Sequence, residues 1–220
     1  MITQVGNEGI ALVTGASRGF GASVSLLLAE KGYTIITVAR TVGGLEELDD
    51  RIRERGGNSF LCVLDITKDS EVQAVCQNID SKFGQIDLWL HTAINPAPLT
   101  LTHQIEQKTL KRSVAVNILA TSHLINCIHP LLKNTGQAVF LDDPRLSKKF
   151  MGIYGSTKRS QIELARTWSL ETANLGPKVI IHTPSEMYTK TTLTFFPGIR
   201  ETDISTPDEE ARKLIDTIFS

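Results

Sequence analysis

Long apolar runs, paired cysteines and a dominant charge are all missing from this chain, and each absence narrows what it does. No apolar stretch approaches the ~20 residues of a membrane span, so no membrane partner is expected. The N-terminal stretch MITQVGNEG has neither a basic n-region nor an apolar h-region, so no secretion signal is expected. Three cysteines, Cys62, Cys76 and Cys127, are irregularly spaced and odd in number, which argues against a disulfide framework or a zinc site. They read as buried thiols in a reducing cytoplasm. The histidines at 91, 103, 123, 129 and 182 form no H-x-x-x-H group, and no metal is expected. Lys and Arg number 23 against 24 Asp and Glu, which gives no reason to expect nucleic acid or an anionic surface as partner.

What is present is an alternation of short apolar runs with longer helical patterns. Strands are expected at Ile10–Val13, Thr34–Ala39, Ser59–Leu64, Asp87–His91, Ala138–Leu141 and Val179–His182. Helices are expected at roughly 20–31, 44–55, 69–83, 101–129, 155–174 and 207–219. Near-continuous apolar strands separated by helices predict an α/β fold, a doubly wound parallel sheet of about six strands covered on both faces. At 220 residues, with no repeat or linker, the chain reads as a single domain over 1–220. A cofactor half covers about 1–95, a catalytic half about 96–185, and a lid with a last helix about 186–220.

The first strand runs into Thr14-Gly15-Ala16-Ser17-Arg18-Gly19-Phe20-Gly21, and a helix pattern follows. Strand, glycine-rich turn and helix aim backbone N–H groups and a helix N-terminus at an anion, and glycines let a pyrophosphate approach closely. The second strand ends in Arg40-Thr41, with no acid before Glu46. A carboxylate there would bind the ribose hydroxyl of NAD, whereas Arg40 and Arg18 suit the extra phosphate of NADP(H), which is expected over NAD(H). Asp65 and Ile66 end the third strand. Asp65 either accepts from the adenine amino group, with Ile66 over the ring, or caps the next helix with Thr67 or Asp69. Tyr154-Gly-Ser-Thr-Lys158 opens the fifth helix, four residues apart and so on one face. A lysine ammonium beside the phenol is expected to lower the Tyr154 pKa and fit it for acid/base work on a substrate oxygen.

These motifs, in this order, resemble those of the short-chain dehydrogenase/reductase family over essentially the whole chain. The resemblance implies a Rossmann-type fold and hydride transfer between a nicotinamide and a carbonyl or alcohol. It makes Tyr154 and Lys158 the catalytic pair, with Lys158 also holding the nicotinamide ribose. Asn117, in Ser113-Val-Ala-Val-Asn117, then holds a water that relays protons, and Pro184-Ser-Glu-Met187-Tyr-Thr189 contacts the carboxamide.

The departures from the family pattern are as informative. Where Asn-Asn-Ala-Gly is usual, this chain has His91-Thr92-Ala93-Ile94. Ala93 stays beside the cofactor, Ile94 adds a β-branched side chain where the backbone normally approaches it, and His91 reads as a satisfied strand-end residue. The usual catalytic serine is replaced by Asp142-Asp143, with Asp143 the better match. An ionised Asp143 cannot donate, and it opposes negative charge on the substrate oxygen. At 4 Å the repulsion is ~1 kcal/mol in water and ~4 at an effective dielectric of 20, roughly fivefold to a thousandfold in rate. A protonated Asp143 escapes this; Asp142 and burial raise its pKa and Lys158 lowers it. Arg145–Lys149 reads as a solvated loop, and Ser147 as a poor substitute for the serine. Residues 186–205 are expected to form a mobile flap or a plain surface excursion. Pro96, Phe150 and Phe195 are expected to make part of the substrate pocket apolar. The resemblance implies a seventh strand that builds tetramers, for which this chain leaves no room; a homodimer through helices 101–129 and 155–174 is expected instead. Two functions follow: an NADP(H)-dependent carbonyl reductase or alcohol dehydrogenase, or an NADP(H)-binding protein with little dehydrogenase activity.

Overall fold

Six parallel strands, β1 (Gly9–Thr14), β2 (Tyr33–Ala39), β3 (Asn58–Val63), β4 (Ile86–His91), β5 (Leu132–Leu141) and β6 (Lys178–His182), form one sheet in the order β3-β2-β1-β4-β5-β6. The computed structural model describes residues 9–219; residues 1–8, most of the stretch in which no secretion signal was expected, lie outside the described residues. All six expected strands are present, β5 beginning six residues earlier than the apolar run suggested.

Alternation along the strands splits the core into two layers, because successive side chains point to opposite faces. Val13, Leu90 and Val139 meet Leu26 and Leu28 of α1 (Gly19–Glu30), Leu45 and Leu48 of α2 (Val42–Glu54), and Leu214 of the last helix. Leu12, Trp89 and Phe140 meet Val72 of α3 (Asp69–Phe83), Leu124 of the long fourth helical run, and Trp168 of α6 (Gly152–Glu171). That fourth run is α4 (Gln107–Val114), a π turn over Ala115–Leu119, and α5 (Ala120–Ile128). At 25 residues, Gln107–Leu131 is long and apolar enough to cross a membrane by length and composition, so the expectation that no segment reaches that length is corrected. Here Val116, Ala120, Leu124 and Ile128 of this run pack on the sheet.

Two further elements follow β6: the short α7 (Lys190–Phe195), absent from the sequence expectation, and α8 (Pro207–Phe219), which packs on α1. The strand order reverses between β1 and β4, so the turns after them diverge and open a crevice beyond the carboxyl ends. Thr92 N–H on Thr14 O, 2.9 Å, ties the two turns together. Of the three cysteines only Cys76 is fully buried; Cys62 and Cys127 are half-buried, and all three are free thiols.

Candidate active site

The turn after β1 needs its glycines for space. Gly15 has φ +90, and a Cβ there would lie 2.6 Å from Thr92 Oγ1. A Cβ on Gly21 would lie 2.6 Å from Gly15 O, closer than non-bonded atoms approach. Gly19 also has positive φ, +54, but a Cβ on it would meet only Thr189, at 3.6 Å. That Cβ would intrude on the gap between the loop and the segment after β6. Arg18, the N-cap of α1, makes no side-chain cap, so the first-turn N–H donors of α1 are left for an anion.

A single cavity of about 640 Å³ runs from this loop across the sheet edge. Gly15, Ser17, Arg18, Gly19, Phe20, Gly21, Arg40, Thr41, Asp65, Ile66 and Ala93 line it together with Asp143, Tyr154, Lys158, Pro184, Met187 and Thr189. Of the expected site residues Asn117 alone is off the wall. Asp65 accepts from Thr67 N and Oγ1 at 3.1 and 2.8 Å. It does not cap α3, whose N-cap is Lys68. Burial pushes the Asp65 carboxyl up, but the Thr67 bonds and the charge of Arg40 hold it below its ordinary value. The free first-turn donors and the glycine cradle, in one cavity with Arg18 and Arg40, fit a dinucleotide.

Tyr154 Oη donates to Asp143 Oδ2 at 2.9 Å. Arg145 grips the same carboxylate: Nε reaches Oδ1 at 2.9 Å and Nη2 reaches Oδ2 at 2.8 Å. Its backbone N–H adds a further bond to Oδ1, also 2.9 Å. The guanidinium Nη1 continues to Glu186 Oε1 at 3.0 Å and Thr192 Oγ1 at 3.3 Å. Burial raises the Asp143 carboxyl, but the bonds and charge of Arg145 outweigh it and keep it ionised. Burial and the Asp143 charge lift the Tyr154 phenol well above its ordinary value. This corrects the expected lowering of its pKa, because the nearest charged partner is an anion and Lys158 points elsewhere. The reading of Arg145 as solvated is likewise corrected: it is buried between the turn after β5 and the segment after β6.

Residues 9–199 match the family description of short chain dehydrogenases. The chain belongs to the short-chain dehydrogenase family. It is 25% identical to the 7alpha-hydroxysteroid dehydrogenase of Escherichia coli K12 over 174 residues, 77% of this chain and 66% of that enzyme, so it spans just under two thirds of that relative's length. It is 28% identical to a 3-oxoacyl-(acyl-carrier-protein) reductase of Staphylococcus epidermidis over 174 residues, 76% of this chain and 70% of that one. The solved alcohol dehydrogenase of Thermococcus sibiricus, complexed with 5-hydroxy-NADP, has the same fold, with a TM-score of 0.85 at 24% identity over 96% of this chain and 90% of that one.

Lys158 Nζ donates to Gln161 Oε1 at 2.6 Å, one turn along α6. The Gln161 amide nitrogen reaches Thr121 Oγ1 at 2.9 Å and His91 Nε2 at 3.1 Å. His91 Nε2 is therefore an acceptor, and its proton sits on Nδ1, 2.7 Å from Thr14 Oγ1. Burial, then the Lys158 charge, lowers the His91 pKa to about 3, and burial lowers Lys158 to about 8. His91 is the satisfied strand-end residue that was expected. Its folded pKa of about 3 lies below the unfolded value of 6.5, so the unfolded chain binds more protons between them. Stability should fall as pH drops from 6.5 towards 3, and His91→Asn should flatten that slope in denaturant titrations at successive pH values. An unchanged slope would contradict a buried neutral imidazole.

Asn117 is wholly buried in the π turn, a helix irregularity common at functional sites. Its Oδ1 accepts from Asn95 N at 2.7 Å, and its Nδ2 donates to Asn95 O at 3.2 Å and Thr157 Oγ1 at 2.9 Å. These amide groups tie the loop after β4 to α6 behind the cavity wall. Ile94 packs on the cluster of Met151, Tyr154 and Phe195. The Phe195 ring packs, tilted, on Tyr154 with centroids 4.8 Å apart. Phe150 and Ser147 are exposed, and neither lines the cavity. Sequence reasoning missed Arg145, Glu186 and Gln161. The spacing of Gln161, three residues past Lys158 on one helix face, was the available signal.

Proposed function

We propose that this protein is an NADP(H)-dependent oxidoreductase that interconverts small carbonyl compounds and alcohols, with Tyr154 as the acid. The observation that carries the reading is the single cavity joining Arg18 and Arg40 to Tyr154 and Lys158. Relatives named for steroid dehydrogenation and oxoacyl reduction, and a fold neighbour solved with an NADP derivative, support it.

When bound, a reduced nicotinamide supplies the hydride. The chain does the rest. Arg18 and Arg40 would hold the ribose phosphate, the N-terminus of α1 and its glycines the pyrophosphate, and Asp65 with Ile66 the adenine. Pro184, Met187, Thr189 and Ala93 would hold the nicotinamide. The Tyr154 phenol is neutral at pH 7 and holds the proton that a carbonyl oxygen takes in the reductive direction, but with its pKa raised it is a weaker acid than a free tyrosine. Arg145 offsets the Asp143 charge, so the repulsion of a developing oxyanion is far smaller than an isolated carboxylate would impose.

Cofactor choice is tested by fluorescence titration with NADPH and NADH. Loss of charge-assisted bonds in Arg40→Ala should weaken NADPH by roughly tenfold to a hundredfold and leave NADH nearly unchanged. Equal weakening of both would place Arg40 away from the phosphate.

A second reading, NADP(H) binding with little turnover, is favoured by one contact: the Tyr154 hydroxyl is already donated to Asp143. On that reading the wild type is inert towards every ketone and aldehyde offered, and Asp143→Ser gains turnover. Wild-type turnover of any of them would exclude it.

A further inference from the structure

Resting on the reductase reading, we propose that Asp143 is a specificity-determining residue that selects carbonyl substrates bearing a hydroxyl on the adjacent carbon, so that the products are vicinal diols.

The argument is one of satisfied partners. Asp143 Oδ2 and the Tyr154 hydroxyl are 2.9 Å apart and both line the cavity. Protonating a substrate oxygen requires Tyr154 to turn its O–H from Oδ2 to that oxygen. Oδ2 then keeps only its bond from Arg145 Nη2, at 2.8 Å, and has a lone pair facing the substrate. A plain ketone offers that lone pair nothing. A serine at this position would donate to the carbonyl oxygen itself, which a carboxylate cannot do, so the demand on the substrate is reversed: it must bring a donor.

Geometry places that donor. Two oxygens on adjacent carbons, held on the same side, lie about 2.8 Å apart, roughly one hydrogen-bond length. Carbonyl oxygen, substrate hydroxyl, Oδ2 and the Tyr154 oxygen then close a four-sided figure with nearly equal edges. The carbonyl accepts from Tyr154 while the neighbouring hydroxyl donates to Oδ2. Charge decides which donor suits. Arg145 is paired in bidentate fashion with Asp143, so the carboxylate calls for a neutral hydroxyl rather than a cation. The reaction balances: the carbonyl carbon takes the hydride from NADPH, the oxygen takes the Tyr154 proton, a proton from solvent restores the phenol, and NADP⁺ and a vicinal diol remain. The hydroxyl bound to Asp143 is unchanged.

The test compares NADPH-dependent kcat/KM for hydroxyacetone, methoxyacetone, which has no donor, and butanone, in which a methyl replaces the hydroxyl. The wild type should prefer hydroxyacetone to both by roughly tenfold to a hundredfold, the value of one hydrogen bond to a charged group. Asp143→Ser should bring the three within a few-fold of each other, because serine supplies its own donor. A preference that survives in Asp143→Ser would overturn the assignment. Wild-type binding gives a check that does not depend on the variant folding. In the NADP⁺ complex, saturation-transfer NMR should show propylene glycol binding more tightly than sec-butanol, and equal binding would overturn the proposal. Equal wild-type turnover of all three ketones removes this inference and leaves the reductase standing. No turnover of any of them removes both.

Discussion

Tyr154→Phe is expected to lower NADPH-dependent carbonyl reduction by roughly 10²- to 10⁴-fold, the range for loss of a positioned general acid, while NADPH binding stays unchanged. The phenol is almost wholly buried, and its ring packs on Phe195. Phenylalanine keeps that packing and removes only the hydroxyl and its bond to Asp143. Asp143 retains its three bonds from Arg145, so the fold should lose only about 1.5–3 kcal/mol, the worth of one hydrogen bond to a charged group. Steady-state rates beside a cofactor titration separate the two effects. Undiminished turnover would reject Tyr154 as the acid.

Arg145→Met should be strongly destabilising. Removing one partner of a buried ion pair leaves the other charge without compensation, a loss of about 3–5 kcal/mol. Both side chains are about nine-tenths buried, and the guanidinium also joins Glu186 and Thr192 to the turn after β5. Urea denaturation at pH 7 measures the loss. Its pH dependence has a definite sign. Arg145 holds the folded Asp143 carboxyl below its unfolded value of 3.8, so the stability it contributes is complete above that value. That contribution is lost as pH falls through the folded pKa, so the gap between variant and wild type should narrow in acid. A constant gap from pH 7 to pH 3 would mean that packing, rather than charge, accounts for the loss.

Much of the site was legible locally. The glycine pattern of residues 15–21 following an apolar strand specified a phosphate cradle, because such a turn has few backbone solutions and a Cβ at Gly15 or Gly21 has no room. Tyr154 and Lys158 were placed on one face of a helix by their spacing alone. The electrical state of the pair was not legible. The Tyr154 pKa depends on whether Lys158 or Asp143 is the nearer charge, and Gln161, held by His91 and Thr121, draws the ammonium away. Arg145 was misread because its burial comes from Glu186 and Thr192, 41 and 47 residues further along the chain.

The sequence by itself determined the six strands and the helices between them, the cofactor loop, and the membership of Asp143, Tyr154 and Lys158 in one cleft. The strands, helices, cofactor loop and the Tyr154/Lys158 pair follow from periodicity, turn chemistry or a short motif, and the place of Asp143 from the family resemblance. Only the tertiary structure decided that Asp143 is ionised, that Arg145 compensates it, that Asn117 braces the site from behind, and that Phe195 packs on Tyr154. Charge balance and burial depend on partners brought together from distant segments, and no local pattern encodes which side chain arrives beside which.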